Sequence, residues 1–222
     1  ELEGFAHSAA HDLKAPLALV EMALTAAPNA GRQSERLLGV AGRAAARRGQ
    51  LIVDLLTFAA AGSAIGAPEP VDLDRLLDHV LVDLEPVIAA CQGQIERTPL
   101  GTVPGHRALL GQLLQNLVSN ALKFARAEVP PLVRVDADVQ PDGVTVRVLD
   151  NGIGIDPAHR AEVFGVFTRL NAPDDYPGSG IGLATCAKVV QHHAGRIWIE
   201  DGIDGGTAVL VWLPLAQASN SS

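Results

Sequence analysis

From Ala10 onward the apolar residues recur in alternating steps of three and four, at Ala10, Leu13, Leu17, Val20 and Leu24. That is the spacing of a heptad seam, so the first helix is built to pack along its length. "APNAGR" at 27–32 interrupts it with proline and glycine. A second seam then runs through Leu37, Ala41, Ala44, Arg48, Leu51, Leu55 and Phe58, with Arg48 the one misfit. The two segments read as an antiparallel helical hairpin. Two helices alone cannot bury both stripes, so the expectation is a second copy completing a dimeric four-helix bundle; the alternative is that the hairpin packs on the rest of its own chain.

"AAGSAIGAPEP" at 60–70 is small, proline-containing and weakly patterned, which marks a linker, and beyond it the period changes. A helical stretch at 73–91 leads to a short strand at 94–97 and a helix from about Arg107 to Ala125. "LVRVDADV" and "VTVRVL" alternate with period two around the turn signal "QPDG". A helix near 181–194 then precedes the strands "RIWIE" and "AVLVWLP". The predicted fold class is α followed by α/β: a helical hairpin at 1–61, a linker at 62–70, a two-layer α/β sandwich with an antiparallel or mixed sheet at 71–215, and a frayed polar tail at 216–222.

The 222 residues and their 48% apolar content are ample for real cores. A formal net charge of -8 with no basic stripe argues against a nucleic-acid partner. Cys91 and Cys186 lie far apart in helical stretches, so free buried thiols in a reducing compartment are expected rather than a disulfide or metal pair. No apolar run approaches the roughly 20 residues that span a bilayer, and no signal-type core follows the N-terminus. These features suit a cytoplasmic location. The chain starts in mid-helix, as if cut from something longer.

Three stretches carry candidate chemistry. "SAAHDLKAPL" at 8–17 sets His11 and Asp12 one turn before Pro16, whose ring disturbs the helix at the carbonyl of Asp12. With Ala10 and Leu13 in the seam, His11 lies off it, accessible to a partner. "QLLQNLVSNALKFA" places Gln112, Asn116 and Asn120 on one helical face with Lys123 three residues further on. Three amides and an ammonium are costly to bury alone, so protein groups, a hydrated Mg²⁺ or a polyphosphate must satisfy them, unless they are simply surface polars. "DNGIGID" at 150–156 and "GSGIGLA" at 178–184 are glycine clusters. The second precedes a helix whose N-terminal N–H groups could meet a phosphate, although it is not a Walker loop, and either cluster alone could be an ordinary loop.

In this order, "FAHSAAHDLKAPL", "QNLVSNALKF", "DNGIGI", "EVFGVFTRL" and "GSGIGLA" resemble the H, N, G1, F and G2 boxes of sensor histidine kinases, and the stretch from Arg169 to Trp198 is most similar to the phytochrome-related type. The resemblance implies a homodimerising phosphotransfer hairpin and an ATP-binding sandwich of the gyrase and MutL type. It also implies an N-terminal sensor region outside this chain and a response regulator receiver domain as partner.

Under that resemblance His11 is the phosphoacceptor and Asp12 the acid that raises its nucleophilicity. His7, one turn earlier, is the competing acceptor but lacks a following acid. Asn116 and Asn120 match the N-box amides, with Asn120 the direct Mg²⁺ ligand, and Lys123 is a phosphate contact. Asp150 would accept from the adenine amino group. Gly152 and Gly154 let the backbone pass close to the base, and Gly178, Gly180 and Gly182 close a lid over the phosphates. Phe124 would pack beside the nucleotide, Thr207 lie near the adenine, and Arg169 reach the γ-phosphate. Phe164 and Phe167 match the F box, as a lid anchor.

The hydrolysing relatives carry a glutamate where this chain has Asn116, and an amide cannot act as a base. ATP is therefore expected to wait for His11, with transfer resting on positioning and charge neutralisation. One rival reading is a hydrolysing conformational machine, against which Asn116 argues. The other is a degenerate scaffold, which the intact boxes disfavour. Two positions depart from the family. Ala15 stands where many members have threonine or asparagine to orient water, so weak or absent phosphatase activity is expected. His106 stands where relatives often have aspartate, with no consequence evident from the sequence. His192 and His193 invite a metal reading but lack partner ligands and read as a helix end.

Overall fold

The computed structural model describes residues 66–170, 176 and 178–215, together with 42, 51, 54–56, 58 and 59. The members of the last group are helical, in keeping with the second seam. The hairpin as a whole, its dimeric bundle, His7, His11, Asp12, Ala15 and Pro16 lie outside the described residues, as does the tail at 216–222. The chain forms two compact units, 1–55 and 56–222.

The second unit opens with strand β1 (Glu69–Asp72), which leads directly into helix α1 (Leu73–Cys91). Asp72 caps that helix by accepting from the Arg75 N–H at 3.1 Å. Leu73, Leu76, Leu77, Val80 and Leu84 are its buried stripe, at helical spacing. The helix stops at Gln92, whose backbone is left-handed with φ 54° and whose N–H returns to the Ala89 carbonyl. Strand β2 (Gln94–Arg97) and strand β3 (Thr102–Gly105) follow, and β3 pairs antiparallel with β1 through Val71 and Val103. The Asp74 carboxylate accepts from the N–H groups of Leu100 and Gly101, 3.1 Å each, fixing α1 to the approach of β3.

Helix α2 (Arg107–Lys123) buries Leu109, Leu110, Leu113, Leu114, Leu117, Val118, Ala121 and Leu122. It lies against both α1 and the third long helix, α3 (Gly182–His192), and it touches strands β4 (Leu132–Val139) and β5 (Gly143–Asp150). Strands β6 (Arg196–Asp201) and β7 (Thr207–Pro214) complete a five-stranded sheet in the order β2-β4-β5-β7-β6. It is mixed: β2 runs parallel to β4 and every other pair is antiparallel.

Strand alternation separates the two faces of the sheet. Val133, Val135, Val144, Val146, Val148, Val209, Val211 and Leu213 are buried against the helices. The opposite face holds the ion pairs Arg134–Glu96 and Arg147–Asp136, and Arg196 stacked over Trp212 at 5.1 Å. This is the two-layer sandwich expected from the sequence.

The pairing of β1 with β3 was not expected from the sequence. Each is four residues long and each contains a proline, so neither shows a period, and β1 starts at Glu69 within the stretch that reads as a linker. Cys91 and Cys186 are both free thiols, the first half-buried and the second buried.

Candidate active site

α2 and α3 run side by side, and the site lies where the end of one meets the start of the other. Asn116 and Asn120 share the face of α2 that meets α3. A Cβ placed on Gly182 would lie 3.8 Å from Asn116 Oδ1 and 3.8 Å from Asn120 Nδ2. One turn on, the Lys123 ammonium sits 4.4 Å from the Phe124 ring centroid and so close to Gly178 that a Cβ there would lie 2.5 Å from Nζ. The two amides, the ammonium and the 178–182 glycine run, far apart in sequence, therefore share one place. No aspartate or glutamate occurs anywhere on α2.

Beneath Asn116 lies Cys186, fully enclosed. Burial pushes its thiol up to about 12, against a weaker opposing hydrogen bond from the Asn116 side chain. A thiol so held is not a nucleophile at neutral pH.

The second wall of the site is built around Asp150, the last residue of β5 and only 7% exposed. Its Oδ1 accepts from the N–H of Gly152 at 2.8 Å and of Thr207 at 3.0 Å. No hydrogen bond to Oδ2 is found among the described residues. Burial raises the carboxyl above its usual range, opposed by those two N–H groups and by the charge of Arg126. An acceptor oxygen left without a donor in a buried setting is what the exocyclic amino group of adenine requires, so these residues fit the base.

The loop after Asp150 is pinned to the end of α2. The Ile153 N–H donates to the Phe124 carbonyl at 3.0 Å, and a side chain at Gly152 would run into that same carbonyl oxygen. Gly154, with φ 76°, packs against the Gly205 carbonyl, and Arg126 Nη2 donates to the Asp204 carbonyl at 2.7 Å. Thr207, at the start of β7, is 8% exposed and lies beside Asp150 through its N–H.

The described residues around the 178–182 glycine run are held by backbone acceptors. Phe167 has left-handed φ of 64°, and its N–H donates to the carbonyl of Gly180, whose own φ is 73°. Phe164 packs on the core, while Phe167 is half-exposed. Arg169 donates from Nη1 to the Gly178 carbonyl and from Nη2 to the Tyr176 carbonyl, 2.8 Å each. The structure thus places this guanidinium on the backbone carbonyls of Gly178 and Tyr176. Tyr176 reaches back to the Ala125 carbonyl at 3.1 Å and packs its ring 5.2 Å from that of Phe124.

Neither Tyr176 nor Arg126 stood out in the sequence. Both act through single long-range contacts to backbone carbonyls, and such contacts leave no periodic signal. That Tyr176 is the only tyrosine in the chain was the one available hint.

At the far ends of α2 and α3, His106, His192 and His193 cluster, with ring centroids 5.1–5.6 Å apart. His193 accepts from the His106 N–H at its Nε2 (3.0 Å) and donates from Nδ1 to the Val189 carbonyl (2.8 Å), which fixes a neutral tautomer. Both ring nitrogens are then engaged, and no metal-binding cluster of histidine, cysteine or acid is found among the described residues. His192 ends α3 and His193 caps it, the helix end expected from the sequence. No helix among the described residues is long and apolar enough to cross a membrane.

Residues 105–217 match the family described as histidine kinase-, DNA gyrase B-, and HSP90-like ATPase. Cyanobacterial phytochrome A of Nostoc sp. is 35% identical over 222 residues, covering 97% of this chain and 29% of the relative. Phytochrome-like protein Cph1 of Synechocystis sp. is 32% identical over 224 residues, covering 98% of this chain and 30% of the relative. The chain thus spans less than a third of the length of these curated relatives.

Among solved structures, the mycobacterial sensor histidine kinase MprB is 30% identical with a TM-score of 0.56, covering 68% of this chain and 99% of the other. Full-length ShkA in complex with AMPPNP is 25% identical with a TM-score of 0.66, covering 97% and 47%. The histidine kinase ThkA, in a complex with the response regulator protein TrrA, has a TM-score of 0.71 at 16% identity, covering 99% and 62%, and so shares the fold. Taken with the buried Asp150 and the polar face of α2 set against the glycine run, these matches place the chain in the histidine kinase-, DNA gyrase B- and HSP90-like ATPase family, as a sensor histidine kinase catalytic core related to those of phytochromes.

Proposed function

We propose that this chain binds ATP in the sandwich, transfers the γ-phosphoryl group to His11, and passes it on to an aspartate of a response regulator receiver domain. The observation that carries the reading is the meeting of Asn116, Asn120 and Lys123 with the Gly178–Gly182 run, beside a buried Asp150 that keeps one oxygen for an adenine amino group. Asp150 selects the base, with Thr207, Gly152 and Gly154 shaping its slot and Phe124 at its edge. Asn120, with Asn116 beside it, offers an amide oxygen to Mg²⁺, an ion that keeps several waters and takes few protein ligands. Mg²⁺ bound there would supply charge neutralisation on the phosphates. Lys123 contributes the protein's own positive charge, and Gly178, Gly180 and Gly182 bring bare N–H groups at the start of α3 to the phosphates.

The absence of any carboxylate from α2 favours a kinase over a hydrolase, because no residue of that helix can take a proton from water. The acceptor is then an imidazole. His11 attacks phosphorus through a neutral ring nitrogen, and Asp12 stabilises the proton on the other. The phosphorus–oxygen bond to ADP breaks as the phosphorus–nitrogen bond forms, so ADP leaves with the electron pair. The hairpin would act as a homodimer, and ThkA bound to TrrA is a relative of this fold in complex with a response regulator.

Calorimetric titration with ATP and Mg²⁺ tests the nucleotide half of the reading. Asn120→Ala is expected to abolish the Mg²⁺-dependent part of the affinity, by at least about tenfold. Equal ATP affinity with and without Mg²⁺ in the unaltered chain would contradict it.

A further inference from the structure

Arg126 belongs to none of the glycine or amide motifs, yet its side chain joins two of the segments that frame Asp150. It follows α2 by three residues, and its Nη2 donates to the Asp204 carbonyl at 2.7 Å. Gly205 lies so near that a Cβ there would stand 3.4 Å from the same nitrogen. The turn thus gripped, Ile203–Gly205, leads through Gly206 to Thr207, whose N–H is one of the two donors on Asp150 Oδ1. We propose that Arg126 is a positioning residue for base specificity at the nucleotide site: it braces the turn that presents Thr207, so that the Thr207 N–H holds Asp150 Oδ1 and leaves Oδ2 to accept from adenine rather than guanine. This rests on the reading of Asp150 as the adenine acceptor.

Among the described residues the surroundings of Asp150 are otherwise uncharged, with two N–H groups giving the larger support and Arg126 a smaller one. From β4 it faces Val133, its paired residue; from β7 and the turn before it come Thr207 and Gly206. Arg126 is the one charged group acting on it among the described residues, and burial favours the neutral form. With Oδ1 committed to two N–H groups, a proton taken up on acidification would sit on Oδ2. That oxygen would change from acceptor to donor. A donor matches the O6 of guanine and opposes the N6 amino group of adenine, so protonation of this one atom would invert the choice of base.

The test is competition of ATP and GTP against a fluorescent ATP analogue on the whole chain with Mg²⁺, from about pH 5 to about pH 8. It compares the unaltered chain with Arg126→Gln, Arg126→Lys and Asp150→Asn. In Arg126→Gln the loss of ATP affinity on acidification is expected to begin at a higher pH, because the charge that opposes protonation of Asp150 is gone. At the acid end this variant would bind ATP roughly threefold more weakly than the unaltered chain, with the ATP-to-GTP ratio falling by more than that factor because GTP gains as ATP loses. Arg126→Lys keeps the charge and should follow the unaltered pH profile, displaced by a uniform loss from the missing brace. Asp150→Asn should flatten the profile.

Profiles of Arg126→Gln and the unaltered chain that superimpose would overturn the proposal. So would equal shifts in the Gln and Lys variants, or a profile that persists in Asp150→Asn. Should Arg126→Gln fail to fold, Arg126→Met, which retains the aliphatic stem, takes its place. If the unaltered chain binds no ATP, the function proposed above fails first. If it binds ATP with an unchanged profile in the variants, only the role of Arg126 falls.

Discussion

Asp150 is held where burial opposes its charge while two N–H groups and Arg126 support it. Because its carboxyl lies above the usual 3.8, the folded state takes up a proton more readily than the unfolded chain. Its contribution to stability is full below that ordinary value and is lost as pH rises through the raised one. Ligand binding has the opposite sign. ATP affinity should fall as pH drops into the raised range, and Asp150→Asn, which swaps an acceptor for a donor at half its orientations, should weaken ATP by about tenfold or more at neutral pH. Affinity that stays flat on acidification would remove Asp150 from the adenine slot.

His193 works in the reverse direction. Burial, with His192 and His106 nearby, holds it below the ordinary 6.5, so its stabilising effect is present above that pH and is lost as pH falls through the lowered value. Denaturant midpoints should therefore decline below about pH 6.5. His193→Gln should lessen that decline while lowering stability at neutral pH, through loss of the link to the His106 N–H.

At the scale of elements, α2 shows how one helix serves two purposes. Leu113, Leu117 and Val118 are almost fully enclosed, while Asn116, Asn120 and Lys123 occupy the strip facing the glycine run. Leu117→Ala should cost about 2–5 kcal/mol in urea unfolding by leaving a cavity between sheet and helices, and should lower ATP affinity only as far as the fold loosens.

This helix was legible in the sequence because both its stripes repeat at helical spacing. The strands of the sheet were legible because alternate residues meet opposite faces. The β1–β3 pair was not, since two four-residue strands with Pro70 and Pro104 make sense only once each has found the other.

Site residues divide in the same way. Asn116, Asn120, Asp150 and the glycines sit in compact motifs. The contacts of Arg126, Arg169 and Tyr176 depend on where distant carbonyls come to rest, and the fold alone decides that. His106 is a further instance: only the structure shows its N–H capped by the His193 ring, 87 residues away.

For the whole molecule, the resemblance of five ordered boxes and the sandwich agree on one family, and the matched relatives extend well beyond this segment. The hairpin carries the expectations that lie outside the described residues. Ala15, a methyl group where many members of the family place a water-orienting side chain, predicts a kinase with little phosphatase activity. When a cognate phosphorylated regulator is mixed with this chain and ADP, its decay should match the regulator's own rate, and Ala15→Thr should accelerate it.

The most direct measurement is incubation of the chain with γ-labelled ATP and Mg²⁺, beside His11→Gln and Asn120→Ala. Acid-labile, base-stable label is expected on the unaltered protein and none on either variant. Label that survives the His11 change, or rapid release of free phosphate with no labelled protein, would contradict phosphoryl transfer from ATP to His11.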